Sequence, residues 1–264
     1  MSGIRIVERG SMIEATLTRP EKRNALNLEM LEGLFEATAR LAGGDHLQVL
    51  LVRSEGEVFS AGIDLNSELA PDPAIASPTA FRRWYRAGKG CLHPLGDLWE
   101  ATEKPIVVAH HGPCIGGALE LSLCADFRLA SDTARYRLPE IAMGGLPGSG
   151  GMSRLVRTVG SHWARWLVLA GLDFDAERAL AIGLVHSVTP AAQFSAEVDR
   201  FCDHLAAIPR EAYAAGKLAL ELMAEVGRGD ARSIERLAVS GLATGAEYHA
   251  VYEEYVARFR KDPK

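Results

Sequence analysis

The residues best suited to chemistry gather in two stretches. In GPCIGGALELSLCADFRLAS (112–131), adjacent glycines Gly116 and Gly117 open an apolar helical run, and Glu120 stands in its first turn between Leu119 and Leu121. In YRLPEIAMGGLPGSGGMSRL (136–155), Glu140 follows Pro139 and precedes a glycine-rich loop. Burying an ionised carboxylate is costly unless it is paired or hydrogen-bonded. Two carboxylates in apolar settings make an acid/base pair, one holding a proton while the other stays ionised. A bland reading stands beside this one, because an acid in a first turn also simply faces the positive end of the helix dipole. Whether Glu120 and Glu140 meet is decided by the fold.

Two glycine-containing turns each follow a strand-like run. VFSAGIDL (58–65) comes after LQVLLVR (47–53) and the turn SEGE, and GPCIGG comes after IVVAH (106–110). Small residues there leave backbone N–H groups free to point outward, and two such groups aimed at one point form an oxyanion hole. The alternative is that these glycines only permit tight turns and close packing.

The elements that must position these groups read as an α/β protein. GIRIVERG and SMIEATLTR form a hairpin around Gly10. Asn27 caps a helix with Leu28, Leu31, Leu34, Phe35 and Leu41 at helical spacing, closed by Gly43 and Gly44. LQVLLVR, IVVAH and FRLA (127–130) are continuous apolar runs of buried, largely parallel strands. Residues 69–80 read as a surface loop, with a helix starting at Ser77 and Pro78. Another helix begins near Gly150 or Gly151. Beyond about residue 190 the pattern is helical, including a long stretch from Asp230 to Phe259. The division expected is a core over 1–195 and a helical segment over 196–264.

Composition excludes several classes. The 264 residues are 48% hydrophobic and 24% charged, as in ordinary globular enzymes. A net charge of −5 argues against a nucleic-acid binder. No secretory pattern opens the chain and no apolar run reaches bilayer-spanning length, so a cytoplasmic protein without a membrane partner is expected. Cys91, Cys114, Cys124 and Cys202 lack metal or redox spacing and read as reduced thiols. His110 and His111 are adjacent, would point to opposite faces of a strand, and read as structural or peripheral rather than metal-binding. PGSGG lacks the G-x-S-x-G spacing of a serine hydrolase, because Pro147 stands two residues before Ser149.

Five segments together resemble the enoyl-CoA hydratase/isomerase, or crotonase, family: EATLTRPEKRNALN, FSAGIDL, GPCIGGALELSLCADFRLAS, LPEIAMGGLPGSGGMSRL and GLDFDAERALAIGLVHSV, in the family's order. The resemblance implies a crotonase-like α/β core of repeated ββα units with a helical C-terminal segment. It implies that the N–H groups of Ile63 and Gly117 hold a thioester carbonyl. It places Glu120 and Glu140 where hydratases of the family carry their acids, with Glu140 as main proton donor and Glu120 as water-orienting base. Lys22, Arg23, Ser60, Ala61, Asp64, Leu65 and Gly116 fall on substrate-binding positions. Phe81, Trp84, Tyr85, Leu92 and Leu95 are expected to wall the acyl pocket, with packing an equal explanation.

The activity so implied is reversible hydration of a 2-enoyl-CoA. No metal or separate cofactor is implied, since CoA is part of the acyl-CoA substrate. The family also implies self-association as trimers or hexamers through the C-terminal helices, to which Tyr252, Tyr255 and Phe259 are suited. Two departures stand out. His110 and His111 replace smaller or amide-bearing residues, and Gly-Gly-Ala replaces a triple glycine while leaving Gly117 intact. Rival readings are isomerisation or dehydration on the same scaffold, or a non-catalytic acyl-CoA-binding or RNA-associated member.

Overall fold

Gly10, at φ 59°, reverses the chain between β1 (Ile4–Arg9) and β2 (Met12–Leu17), which pair antiparallel. The computed structural model describes residues 3–70, 75, 77–86 and 92–260; Cys91 and part of the 69–80 loop lie outside them. The Asn27 side chain accepts the Met30 N–H at 3.0 Å and so caps α1 (Leu28–Gly43). The face of α1 carrying Met30, Leu31, Leu34, Ala37 and Leu41 is buried. The chain continues through β3 (Val49–Ser54), α2 (Pro78–Arg86), α3 (His93–Ala101) and β4 (Ile106–His110). Then come β5 (Cys114–Ile115), α4 (Gly117–Ser122), β6 (Phe127–Ser131), β7 (Arg135–Arg137) and a 3-10 turn, Glu140–Met143. α5 (Gly151–Val168), β8 (Phe174–Asp175), α6 (Ala176–Ala181) and β9 (Ser187–Thr189) follow. Gly160, at φ 72°, breaks the helical path of α5.

The main sheet has the order β1-β2-β3-β4-β6-β9, parallel after the first pair. Its central strands are uniformly apolar because they are buried on both faces: Val49 to Leu51 and Ile106 to Val107 are fully buried. A small sheet, β5-β7-β8, stands apart from it. The strands of this small sheet are two or three residues long, too short for a period of two to announce them in sequence.

The chain divides into two compact units, Met1–Asp203 and His204–Lys264. This division falls inside α7 (Ala191–Ala206), later than the boundary expected after residue 195. The reason is that α7 packs into the first unit. Phe194 and Val198 are buried, Phe201 meets the Phe127 ring edge-on at 5.1 Å, and Asp199 accepts from Arg53 at 2.9 Å.

The second unit contains α8 (Arg210–Glu225), α9 (Arg228–Leu242) and α10 (Ala246–Arg260). The stretch from Asp230 to Phe259 is thus two helices, turning at residues 243–245 where Gly245 N–H reaches Leu242 C=O. The Glu247 carboxylate accepts the N–H groups of Arg210 and Glu211, capping the start of α8. Among the described residues no helix is long and apolar enough to cross a membrane.

Candidate active site

The two glycine turns are stitched to each other. Ser60 N–H donates to Pro113 C=O at 3.1 Å, and Ile115 N–H donates to Ser60 C=O at 3.0 Å. Gly62 has φ 92° and is pressed so closely to its neighbour that a Cβ there would stand 3.3 Å from the Gly117 nitrogen and 2.8 Å from Ile115 O. Only glycine fits that contact.

The direction of the Ile63 amide follows from its pairing. Leu26 N–H donates to Gly62 C=O and Asp64 N–H donates to Leu26 C=O, a parallel bridge between Leu26 and Ile63. Amides alternate direction along an extended chain, so the Ile63 N–H points away from Leu26. Gly117 is the first residue of α4, and its N–H has no partner within the helix. The Ile63 side chain lies against the Gly117 Cα, where a Cβ would meet it at 3.0 Å. Two outward N–H groups therefore stand side by side, one of them at a helix start.

Glu120, one turn into α4, is only 4% exposed. Its Oε2 accepts the N–H of Ser149 at 2.7 Å and of Gly151 at 3.1 Å. These donors belong to the start of α5, a site that favours an anion. Gly151 is required by closeness, since a Cβ there would fall 2.6 Å from Glu120 Oε2. Burial first, and then the charge of Glu140, push the Glu120 carboxyl up to about 7, against the Ser149 and Gly151 N–H groups and Arg154. Glu140 is half-buried at the start of its 3-10 turn, and burial raises its carboxyl as well. Its Oε1 packs on the Gly116 Cα, where a Cβ would meet it at 2.9 Å, while its buried Oε2 has no hydrogen-bond partner among the described residues. Gly116 in turn accepts the Glu120 N–H at 3.0 Å. The fold thus brings Glu120, Glu140, Gly116, Gly117 and Ile63 to one place. Such a constellation can polarise a carbonyl and move a proton beside it.

The remaining residues singled out by sequence fall around this centre. Lys22 and Arg23 are exposed on the turn whose Arg23 C=O accepts the Ala61 N–H at 2.9 Å, next to the first glycine turn. Ser60 is fully buried, and its hydroxyl is used internally, donating to Asn24 C=O at 2.7 Å and accepting Gly62 N–H at 3.2 Å. Asp64 is paired with Arg19 at 3.1 Å, and Leu65 is exposed. Leu92 and Leu95 are buried, and Leu92 touches the Gly117 Cα region. Phe81, Trp84 and Tyr85 cluster with His93, and the Tyr85 hydroxyl lies against Gly148. His110 is fully buried and His111 bonds Gly56 C=O at 2.8 Å; among the described residues no cluster suits a metal ion. Cys114, Cys124 and Cys202 are free, buried thiols.

Sequence reasoning missed the donors that hold Glu120. The helix expected near Gly150 or Gly151 is α5, but its glycine-rich start, itself a signal for an anion partner, is not connected to Glu120 by anything in the sequence reading. Arg154 was missed too. It forms a bidentate pair with Glu100 at 2.5 Å on each arm and lowers the carboxyl of Glu120 through its charge.

The chain is similar to known proteins over most of its length. The family described as Enoyl-CoA hydratase/isomerase matches residues 8–240. The chain is 33% identical to the 2,3-dehydroadipyl-CoA hydratase of Escherichia coli K12, over 72% of this chain and 71% of that protein. It is 31% identical to the short-chain-enoyl-CoA hydratase of Clostridium acetobutylicum, over 71% and 69%. The crystal structure of enoyl-CoA hydratase from Thermoplasma volcanium superposes with a TM-score of 0.84 at 30% identity, covering 97% of this chain and 98% of that one.

Proposed function

The chain belongs to the enoyl-CoA hydratase/isomerase family, and we propose that it adds water reversibly across the double bond of a 2-enoyl-CoA thioester. The observation that carries this reading is the convergence of one buried and one half-buried acid beside two outward backbone N–H groups. The Ile63 and Gly117 N–H groups polarise the thioester carbonyl and stabilise the enolate-like charge that develops when oxygen attacks carbon three. Each such donor contributes about 3 kcal/mol in the transition state.

The two carboxylates divide the proton work. Burial raises the Glu120 carboxyl to about 7, its two backbone N–H bonds favour the ionised form against that burial, and near neutral pH it acts as the base that orients water and removes its proton. The buried, unpartnered Oε2 of Glu140 favours the protonated form, and Glu140 delivers a proton to carbon two. Lys22 and Arg23 offer their charge to the phosphates of CoA. Leu92 and the Phe81–Tyr85 cluster wall the acyl chain. No metal or separate cofactor enters these steps. The exposed Tyr252, Tyr255 and Phe259 of α10 support self-association through the helical unit.

The test is to supply 2-enoyl-CoA thioesters of increasing chain length and follow loss of the conjugated double bond, with the product identified by mass. Formation of 3-hydroxyacyl-CoA is expected. Migration of the double bond without water uptake would replace the hydratase reading with isomerisation, and binding without turnover would make the protein an acyl-CoA binder.

A further inference from the structure

His110 ends β4 wholly buried, and nothing in the hydration steps uses it. Each ring nitrogen has one partner. Nδ1 lies 3.1 Å from the Tyr136 hydroxyl and Nε2 lies 3.0 Å from Ser122 Oγ. The tautomer follows from the partners. The single proton of the Ser122 hydroxyl is committed to Ala118 C=O at 2.8 Å, so Ser122 Oγ accepts and His110 Nε2 donates. Nδ1 then accepts from Tyr136. Burial, helped by the charge of Arg128 and by His111, pushes the imidazole down to about 3, so the ring stays neutral with one donor and one acceptor.

The relay Tyr136–His110–Ser122–Ala118 joins three elements. Tyr136 sits in β7, four residues before Glu140, and is fully buried. Ala118 lies in α4 between Gly117 and Glu120. The imidazole is therefore a rigid spacer between the strand that leads to one acid and the helix that carries the other acid and an outward N–H. We propose that His110 is a positioning residue, which sets through Tyr136 and Ser122 the spacing of Glu140 from Glu120 and Gly117. Its kinetic consequence rests on the hydratase reading; its geometric consequence does not.

Tyr136→Phe removes one hydroxyl and leaves the ring in place. With 2-enoyl-CoA as substrate, kcat is expected to fall about tenfold or more, because small misplacements of reacting groups are costly. KM should stay within about twofold, since substrate binding is not the term disturbed. His110→Gln, which retains a donor and an acceptor, should keep most of the activity that His110→Leu loses. Two spectroscopic readouts accompany the kinetics. Nitrogen NMR should show the His110 proton on Nε2 with no titration between about pH 5 and 9. Carboxyl carbon NMR should show the Glu120 and Glu140 titrations displaced in Tyr136→Phe. Unchanged kcat and unchanged carboxyl titrations in that variant, or a proton on Nδ1, would overturn the proposal. If the wild type hydrates no enoyl-CoA, the hydratase reading fails by itself, and the carboxyl titrations alone decide whether His110 positions the acids.

Discussion

Replacing Glu120 by Gln should stabilise the protein, and more so as the pH rises. In the folded chain Glu120 titrates near 7, against an ordinary value of 4.5. Below pH 4.5 both folded and unfolded forms hold the proton, and ionisation contributes nothing. As pH rises from 4.5 to 7 the unfolded chain releases its proton while the folded chain retains it, so stability is lost across that window. Above 7 the loss is complete. The two values differ by about 2.5, and at about 1.4 kcal/mol per pH unit the ionised side chain costs the fold about 3 kcal/mol. Glutamine keeps an oxygen for the Ser149 and Gly151 N–H groups but has no charge to bury. Thermal unfolding of both proteins at pH 5 and pH 8 measures the effect. Between these two pH values about 2.5 kcal/mol of that cost develops, so the advantage of Glu120→Gln should widen towards pH 8 by about 5–10 °C, using 2–4 °C per kcal/mol for a unit of this size. An advantage that is constant with pH, or that shrinks, would refute the claim that Glu120 is buried against its own charge.

Gly151→Ala should lower hydration about a hundredfold while circular dichroism stays unchanged, since the new Cβ would fall 2.6 Å from Glu120 Oε2 and drive the carboxylate off its donors. Arg154→Met removes a charge that holds the Glu120 carboxyl down, so the limb of the pH–rate profile governed by Glu120 should move to higher pH. Asn24→Ala should cost about 3 kcal/mol in urea unfolding, because the fully buried Asn24 amide donates to Glu55 and Val58 C=O at 2.8 Å each and its backbone sits at φ 50°.

Much of the frame was legible in the sequence because its signals are local. The hairpin at Gly10, the cap at Asn27 and the apolar runs of β3 and β4 each depend on a few neighbouring residues, and each stands where composition and period place it. The expected α/β architecture with parallel central strands is the one observed. What sequence does not encode locally is contact across distance. Glu120 finds its donors at Ser149 and Gly151 only because α5 starts against α4, and no periodicity reports that meeting. Ser60 looks like a free hydroxyl in FSAGIDL, but folding commits it to Asn24. His110 and His111 point to opposite faces as their adjacency on a strand implies, but only the fold shows which ring enters the interior and which stays at the rim. The turn at 243–245 escaped notice because no proline marks it.

The central claim is that two acids share the proton work, and single-turnover hydration of a 2-enoyl-CoA by Glu120→Gln and Glu140→Gln tests it most directly. Both variants should bind the thioester as the wild type does, and each should react about a hundredfold or more slowly, the range by which a positioned acid or base accelerates a step. If either variant hydrates the substrate within about tenfold of the wild-type rate, the two-acid account is contradicted, and the surviving glutamate alone must carry the reaction.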